Sequence, residues 1–110
     1  MRSISVSTIT PVYCGEQYLQ ELAGELAKVR REWEECHTPF RLVESILVND
    51  AAIDSSPAML ESLAQEYPWI RVLTLSRNFG QHPATISGIL HSTGDWVITL
   101  DEDYSMNPGF

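Results

Sequence analysis

Short apolar runs alternate with longer amphipathic runs along the whole chain, and only a few residues join one run to the next. The apolar runs are rich in β-branched residues, as is typical of strands, and the amphipathic runs carry apolar residues at helical spacing. Strands that alternate with helices through short connections form a parallel sheet of right-handed βαβ units. The sequence therefore predicts an α/β fold: a Rossmann-like parallel sheet with helices on both faces and about four βα units.

Four strands and three helices are predicted within one domain that covers residues 1–110. The strands are placed at residues 4–10, 41–48 and 70–75, and in the run that begins at Gly94. The helices are placed from Glu16 to about Glu35, from Ser56 to the residue before Pro68, and from Pro83 to near Gly94. Two finer predictions are that a loop begins at Pro11 and that the third helix buries Ile86, Ile89 and Leu90.

Composition restricts the classes of function open to this chain. Seven Lys and Arg against 15 Asp and Glu leave a net charge of -8, which argues against binding to nucleic acid. No apolar run approaches the roughly 20 residues of a membrane-spanning helix, and the N-terminus lacks a signal-peptide core, so we expect a cytoplasmic protein. Cys14 and Cys36 lack the companion spacing of a zinc site, and we expect both to be reduced thiols.

Polar or conformationally unusual stretches follow all four predicted strands. They are Pro11-Val12-Tyr13, Asn49-Asp50, Arg77-Asn78-Phe79-Gly80 and Asp101-Glu102-Asp103. The carboxyl ends of parallel strands meet at one edge of a sheet, and ligands of open α/β sheets bind there. We therefore expect these four stretches to converge on one crevice.

Two aspartates, Asp101 and Asp103, follow the fourth strand two positions apart. In an extended segment they point the same way while Glu102 points the other way. Hard divalent cations prefer such oxygen ligands, so the pair is a candidate site for Mg²⁺ or Mn²⁺. Taken alone, the same pattern also fits a solvated acidic loop. Asp50 alone is more often a turn former or helix cap than a ligand, and Arg77 alone is most often a solvated surface charge and less often a phosphate contact.

In combination the strand ends are more specific. The ordered motifs are Pro11-Val12-Tyr13, Val48-Asn49-Asp50-Ala51-Ala52-Ile53-Asp54-Ser55, Ser76-Arg77-Asn78-Phe79-Gly80-Gln81, and Gly94-Asp95 through Asp103 with Pro108. Together they resemble the family 2 inverting glycosyltransferases of the GT-A fold, and the resemblance runs through essentially the whole chain. The third and fourth motifs look closest to members that use polyprenyl-phosphate acceptors or build surface polysaccharides, including the dolichol-phosphate mannose synthase-like group.

The resemblance implies a nucleotide-binding role for five residues. Tyr13 would lie against the nucleotide base, beside Pro11, and Asp50 would accept a hydrogen bond from the base. Arg77 and the backbone of Gly80 would line the cleft for the nucleotide-sugar, with the guanidinium facing phosphate. The implied partner is a nucleoside-diphosphate sugar.

The resemblance also implies a metal site and a reaction. Asp101 and Asp103 would hold Mg²⁺ or Mn²⁺ at the diphosphate, and a sugar would pass to an acceptor hydroxyl that is lipid-linked or part of a saccharide. In this family the catalytic base lies beyond the metal-binding aspartates, so we expect no catalytic residue within these 110 residues and little transfer activity from them alone. The full-length protein could then associate with a membrane.

The sequence departs from the family pattern in two loops, and two alternatives to the glycosyltransferase stay open, the first of them supported by the absent catalytic base. Asn49 and Ala51 replace an aspartate and a glycine of the usual motif, and Cys14 replaces an asparagine. One alternative is a truncated nucleotide- or metal-binding module without catalytic activity. The other is a receiver-like domain, which also gathers Mg²⁺ at strand ends but lacks counterparts of Tyr13 and the Arg77 motif. An exposed sheet edge would further favour self-association.

Overall fold

The computed structural model describes the chain at residues 3–12, 19–49, 56–75 and 81–100. Within these ranges strands and helices alternate as predicted. The strands are β1 (Ile4–Val12), β2 (Phe40–Asn49), β3 (Ile70–Thr74) and β4 (Trp96–Thr99). The helices are α1 (Leu19–Glu35), α2 (Ser56–Glu66) and α3 (Gln81–His91).

The described strands form one parallel sheet in the order β3-β2-β1-β4. From β1 the chain steps outward to β2 and then to β3. It next crosses back over the sheet, through α3, to place β4 on the other side of β1. The predicted Rossmann-like α/β fold is therefore confirmed, and the direction of winding reverses between β1 and β4.

Helices cover both faces of this sheet. On one face α1 and α2 bury a core that includes Leu22, Leu26, Leu60 and Leu63 with Leu47 of β2. On the other face Ala84 of α3 packs in a smaller cluster with the buried side chains Ile9, Ile46 and Val48. The predicted start of α2 at Ser56 is confirmed. Because α1 carries its apolar residues at clear helical spacing, its packing face was also predictable from the sequence.

Strand β1 continues two residues farther than predicted. Pro11 and Val12 are buried members of the strand, opposite Val48 and Asn49 of β2, so the prediction of a loop beginning at Pro11 is wrong. Ile9 accepts a hydrogen bond from Leu100 on the β4 side (2.8 Å), and strand alternation turns the backbone of Pro11 to that side as well. The missing N–H of proline therefore removes no bond between β1 and β2.

Helix α3 presents its small side chains to the sheet, contrary to prediction. Ile86, Ile89 and Leu90 are 56%, 40% and 78% exposed, whereas Ala84 is fully buried. A Cβ added at Gly88 would lie 2.4 Å from Ile9 Cγ2, so the helix approaches β1 too closely for a larger residue. The helix ends at His91 rather than near Gly94. The close packing of the α3 backbone against the sheet determines which face of the helix is buried, and periodicity alone does not reveal it.

Strand β4 is poorly covered by the rest of the described chain. It spans four residues, and its Trp96 and Ile98 are 65% and 44% exposed. These two side chains line an apolar groove of about 180 Å³ with Val6, Trp33 and Phe40. Self-association through this side of the sheet stays a prediction. Apolar packing of this segment is limited to the partly buried Val97 and Leu100, so polar contacts also contribute to its position.

Those contacts lie in the turn before β4, where three consecutive backbone N–H groups each donate to a side chain of β1 or β2. Thr93 N donates to Glu44 Oε2 (2.6 Å), Gly94 N to Ser7 Oγ (2.9 Å) and Asp95 N to Ser5 Oγ (3.0 Å). We call the side chains of Ser5, Ser7 and Glu44 the turn clamp. It attaches the start of β4 to the two central strands of the sheet.

Glu44 is the charged member of the turn clamp and, like Ser7, it is buried, at 5% exposure. Besides Thr93 it accepts hydrogen bonds from Ser7 Oγ (2.7 Å) and from Arg71 Nη1 (2.6 Å). Arg71 also donates to the carbonyl of His91 at the end of α3 (3.0 Å). Burial of Glu44 raises the pKa of its carboxyl, but the hydrogen bonds from Arg71, Ser7 and Thr93 together hold that pKa below its ordinary value of 4.5. The carboxylate is therefore stable in its charged form.

The close approach of α3 predicts opposite effects for two glycine substitutions. Gly88→Ala should lower the free energy of unfolding by about 1–3 kcal/mol, because its methyl group would overlap Ile9. Gly24→Ala on α1 is the matched control: a Cβ there meets nothing within 4 Å, and alanine should stabilise the helix by about 0.5–1 kcal/mol. Urea unfolding curves measure both changes. Equal effects of the two substitutions would contradict the packing described for α3.

The lowered pKa of Glu44 predicts a pH-dependent stability. Glu44→Gln should lower the free energy of unfolding at pH 7 by about 1–3 kcal/mol, since Arg71 and Thr93 lose a charged acceptor. The contribution of the carboxylate is complete above its unfolded-state pKa and is lost as the pH falls through the lower folded-state pKa. The difference between the variant and the parent should therefore narrow below a pH of about 4.5.

Denaturant unfolding at several pH values between 7 and 3 measures this difference. Glu66→Gln, at an exposed position near the end of α2, is the control and should change stability little at pH 7. A difference for Glu44→Gln that stays constant over the whole pH range would show that the charge of Glu44 does not stabilise the fold.

Candidate functional site

The carboxyl ends of the first three strands lie level with one another. Val12 of β1 pairs with Asn49 of β2, and Asn49 pairs with Thr74 of β3. Leu75 N donates to the carbonyl of Asn49 at 2.9 Å, which extends the alignment by one residue. The carboxyl ends of these three strands therefore lie at a single edge of the sheet.

Strand β4 runs parallel to β1 on its other side, and its described pairing ends three residues before the end of β1. Thr99 pairs with Ile9, and Leu100 N donates to the Ile9 carbonyl at 2.8 Å. The winding of the sheet reverses between β1 and β4. Such a reversal creates a crevice at the carboxyl ends of the strands, which is where open α/β sheets bind their ligands.

Within the described residues the carboxyl ends of β1, β2 and β3 are level, whereas the convergence of all four predicted stretches on one crevice stays a prediction. In the sequence Tyr13 follows β1, and Asp101 and Asp103 follow β4. The segment with Asp50 follows β2, one strand away, and the segment with Arg77 and Gly80 follows β3, two strands away.

Most of the predicted site residues themselves lie outside the described ranges. These are Tyr13, Asp50, Arg77, Gly80, Asp101 and Asp103. Pro11 is described, as a buried residue of β1 beside the crevice. Among the residues that the structure describes, no three His, Cys, Asp or Glu side chains cluster closely enough to hold a metal ion. The assignment of nucleotide and metal ligands therefore stays a prediction.

The turn clamp is the feature that sequence reasoning missed. It lies toward the amino-terminal end of the strands, opposite the crevice, yet it holds the strand that leads to Asp101. One signal was available: Glu44 is an acidic residue within an apolar strand run, and buried charges require partners. The glycine at position 94 was a second signal in the sequence. The structure shows why glycine is needed there: a Cβ would lie 2.7 Å from Ser7 Oγ, a close approach that glycine permits.

Within the described ranges, no helix combines the length and the apolar character that crossing a membrane requires. The described helices pack against the sheet. α1 and α2 pack on one face of it, and α3 packs on the other.

Comparison with solved structures identifies the fold. The mannosyltransferase PcManGT from Pyrobaculum calidifontis, in complex with GDP-Man and Mn²⁺, superposes with a TM-score of 0.75 at 19% identity, over 94% of this chain and 28% of its own. S. aureus TarS in complex with UDP superposes with a TM-score of 0.71 at 25% identity, over 91% of this chain and 28% of its own. The complex of TarS with UDP-GlcNAc gives a TM-score of 0.70 at 24% identity.

This chain spans little more than a quarter of the length of those solved structures. Its sequence matches the model of the family described as glycosyl transferase family 2, and the match extends over residues 7–110. With a parallel sheet wound in the Rossmann manner and neighbours among the GT-A glycosyltransferases, the chain belongs to glycosyl transferase family 2.

Proposed function

We propose that this domain, residues 1–110, binds the sugar donor in a metal-dependent glycosyltransferase. The reaction is transfer of a sugar from a nucleoside diphosphate to an acceptor hydroxyl that is lipid-linked or part of a saccharide. The observation that supports this best is the alignment of the strand ends at one edge, with the winding reversal between β1 and β4. A cytoplasmic location, which would give access to nucleotide-sugars, is part of the proposal.

The nucleotide side of the proposed site follows β1, β2 and β3. Tyr13 stacks on the base and Asp50 accepts a hydrogen bond from it, with Pro11 at the wall of the crevice. Arg77 and the backbone of Gly80 face the diphosphate, which a guanidinium binds through charge-assisted hydrogen bonds. The support is their order along the sheet edge, together with the nucleotide-sugars GDP-Man and UDP-GlcNAc in the complexes of PcManGT and TarS.

The proposed metal ligands are Asp101 and Asp103, which follow β4 on the other side of the crevice. Two carboxylates supply hard oxygen donors, which suit Mg²⁺ or Mn²⁺, and PcManGT was solved with Mn²⁺. A bound cation would neutralise the charge that develops on the departing diphosphate. We assign none of the proposed site residues as the base that accepts the proton of the acceptor.

Donor binding should depend on both the cation and Asp103. Titration calorimetry with GDP-sugars and UDP-sugars should detect binding in the presence of Mn²⁺, and Asp103→Ala should abolish the metal-dependent part, since a single carboxylate is a poor ligand set. Glu66→Ala removes the same charge from the exposed end of α2 and should leave binding unchanged. The absence of any nucleotide binding, with Mn²⁺ or Mg²⁺, would contradict a donor site.

The base-stacking role of Tyr13 has a separate test. Tyr13→Ala should weaken nucleotide binding about tenfold or more, because stacking of a base on an aromatic ring contributes ~1–3 kcal/mol. Tyr13→Phe is the matched control: it keeps the ring and should keep most of the affinity. Fluorescence titration with GDP and UDP measures both variants. If the two substitutions weaken binding equally, the ring does not stack on the base.

A further inference from the structure

We propose that Glu44 and Ser7 are positioning residues for the metal-binding carboxylates: the turn clamp sets the register of β4 and thereby directs Asp101 and Asp103 into the crevice. This inference rests on the proposed function, because it concerns the same metal site. It adds residues at the opposite end of the sheet, which the family motifs at the strand ends do not include.

The first observation is that β4 has few other means of holding its register. Among the described strands it pairs with β1 alone, over four residues. Trp96 and Ile98 are exposed on one face, and Val97 on the other is only half-buried. A strand with little buried side-chain surface is weakly specified in register, because a slip of one residue then costs little apolar contact.

The second observation is the form of the turn clamp. Its acceptors bind backbone N–H groups, of residues 93, 94 and 95 in succession, so each acceptor selects one position along the chain. Asp95 reinforces the last contact, since its Oδ2 accepts hydrogen bonds from Ser5 Oγ (3.0 Å) and Ser5 N (3.3 Å). A slip of β4 by one residue would break all three backbone contacts together.

The third observation is that Glu44, which accepts the hydrogen bond from the first of the three backbone N–H groups, is a strong acceptor. Glu44 is buried and charged, and Thr93 supplies two of its hydrogen bonds, from N (2.6 Å) and from Oγ1 (3.1 Å). A buried carboxylate that loses donors is strongly disfavoured. The turn is therefore held most firmly where β2, β3 and the end of α3 meet through Glu44 and Arg71.

Register matters at the far end because side chains alternate along a strand. Asp101 follows Asp95 by six residues, a span of ~20 Å in an extended chain, so the turn clamp acts through β4 rather than by contact. A slip of one residue would turn Asp101 and Asp103 away from the crevice and turn Glu102 toward it. The turn clamp therefore favours the register in which two carboxylates face the metal.

The test is the Mn²⁺ affinity of the chain, measured by the electron paramagnetic resonance signal of free Mn²⁺ without any donor. Glu44→Gln and Ser7→Ala should each weaken binding about tenfold, the lower end of the range for residues outside the ligand shell. Thr8→Val is the matched control. It removes another buried hydrogen bond of β1, from Thr8 Oγ1 to Ser45 Oγ (2.8 Å), and Thr8 alternates to the opposite face of the sheet.

Circular dichroism would confirm that each variant is folded at the temperature of the titration. If Glu44→Gln does not fold, Ser5→Ala takes its place in the test. Ser5 is half-buried, and its substitution removes the acceptor of the Asp95 N–H from the turn clamp. A loss of affinity in the turn-clamp variants but not in Thr8→Val supports the inference. Equal losses in all of them, or none in the turn-clamp variants, would overturn it while leaving the metal site intact.

A second readout reports register itself. In the parent chain Glu102→Ala should leave Mn²⁺ affinity unchanged, whereas in the Glu44→Gln chain it should reduce the residual affinity, because Glu102 then shares the crevice. No effect of Glu102→Ala in either chain would overturn the change of register. If the parent chain binds no Mn²⁺ while Asp103→Ala behaves identically, the proposed metal site itself fails, and the positioning role fails with it.

Discussion

A buried carboxylate joins parts of the sheet that the chain visits at widely separated points. Glu44 of β2 accepts hydrogen bonds from Ser7 of β1, from Arg71 of β3 and from Thr93 in the turn before β4. Strand β4, which follows the crossover from β3 past β2 and β1, is short and exposed, and without this contact it would depend mainly on its pairing with β1. The hydrogen bonds from Ser7, Arg71 and Thr93 offset the cost of burying the charge of Glu44. Each of these donors lies on a different element, so the same bonds also connect those elements.

The crossover helix α3 meets a related constraint. It lies so close to β1 that Gly88 has no room for a side chain, and its larger apolar residues, Ile86, Ile89 and Leu90, remain exposed. Close packing of helix backbone on the sheet brings His91 within reach of Arg71, at 3.0 Å. The same element thus both covers the second face of the sheet and completes the charged contacts of Glu44.

The crevice at the opposite end of the sheet follows from topology. The winding of the sheet reverses between β1 and β4, and the strand ends at Val12, Asn49 and Thr74 are level with one another. Open α/β sheets bind ligands at such a reversal, and this is the basis of the donor site proposed for this glycosyl transferase family 2 domain. In that proposal the turn clamp holds the start of β4, and the proposed metal ligands follow its end in the sequence.

Sequence by itself determined where the strands and helices lie, the parallel α/β class and the family resemblance, because these depend on local periodicity, turn residues and short motifs. The start of α2 at Ser56 and the packing face of α1 are examples. Only the tertiary structure decided which face of α3 is buried, that Pro11 belongs to β1, and that Glu44 holds the turn before β4. These depend on distances between elements remote in sequence, which no local pattern encodes.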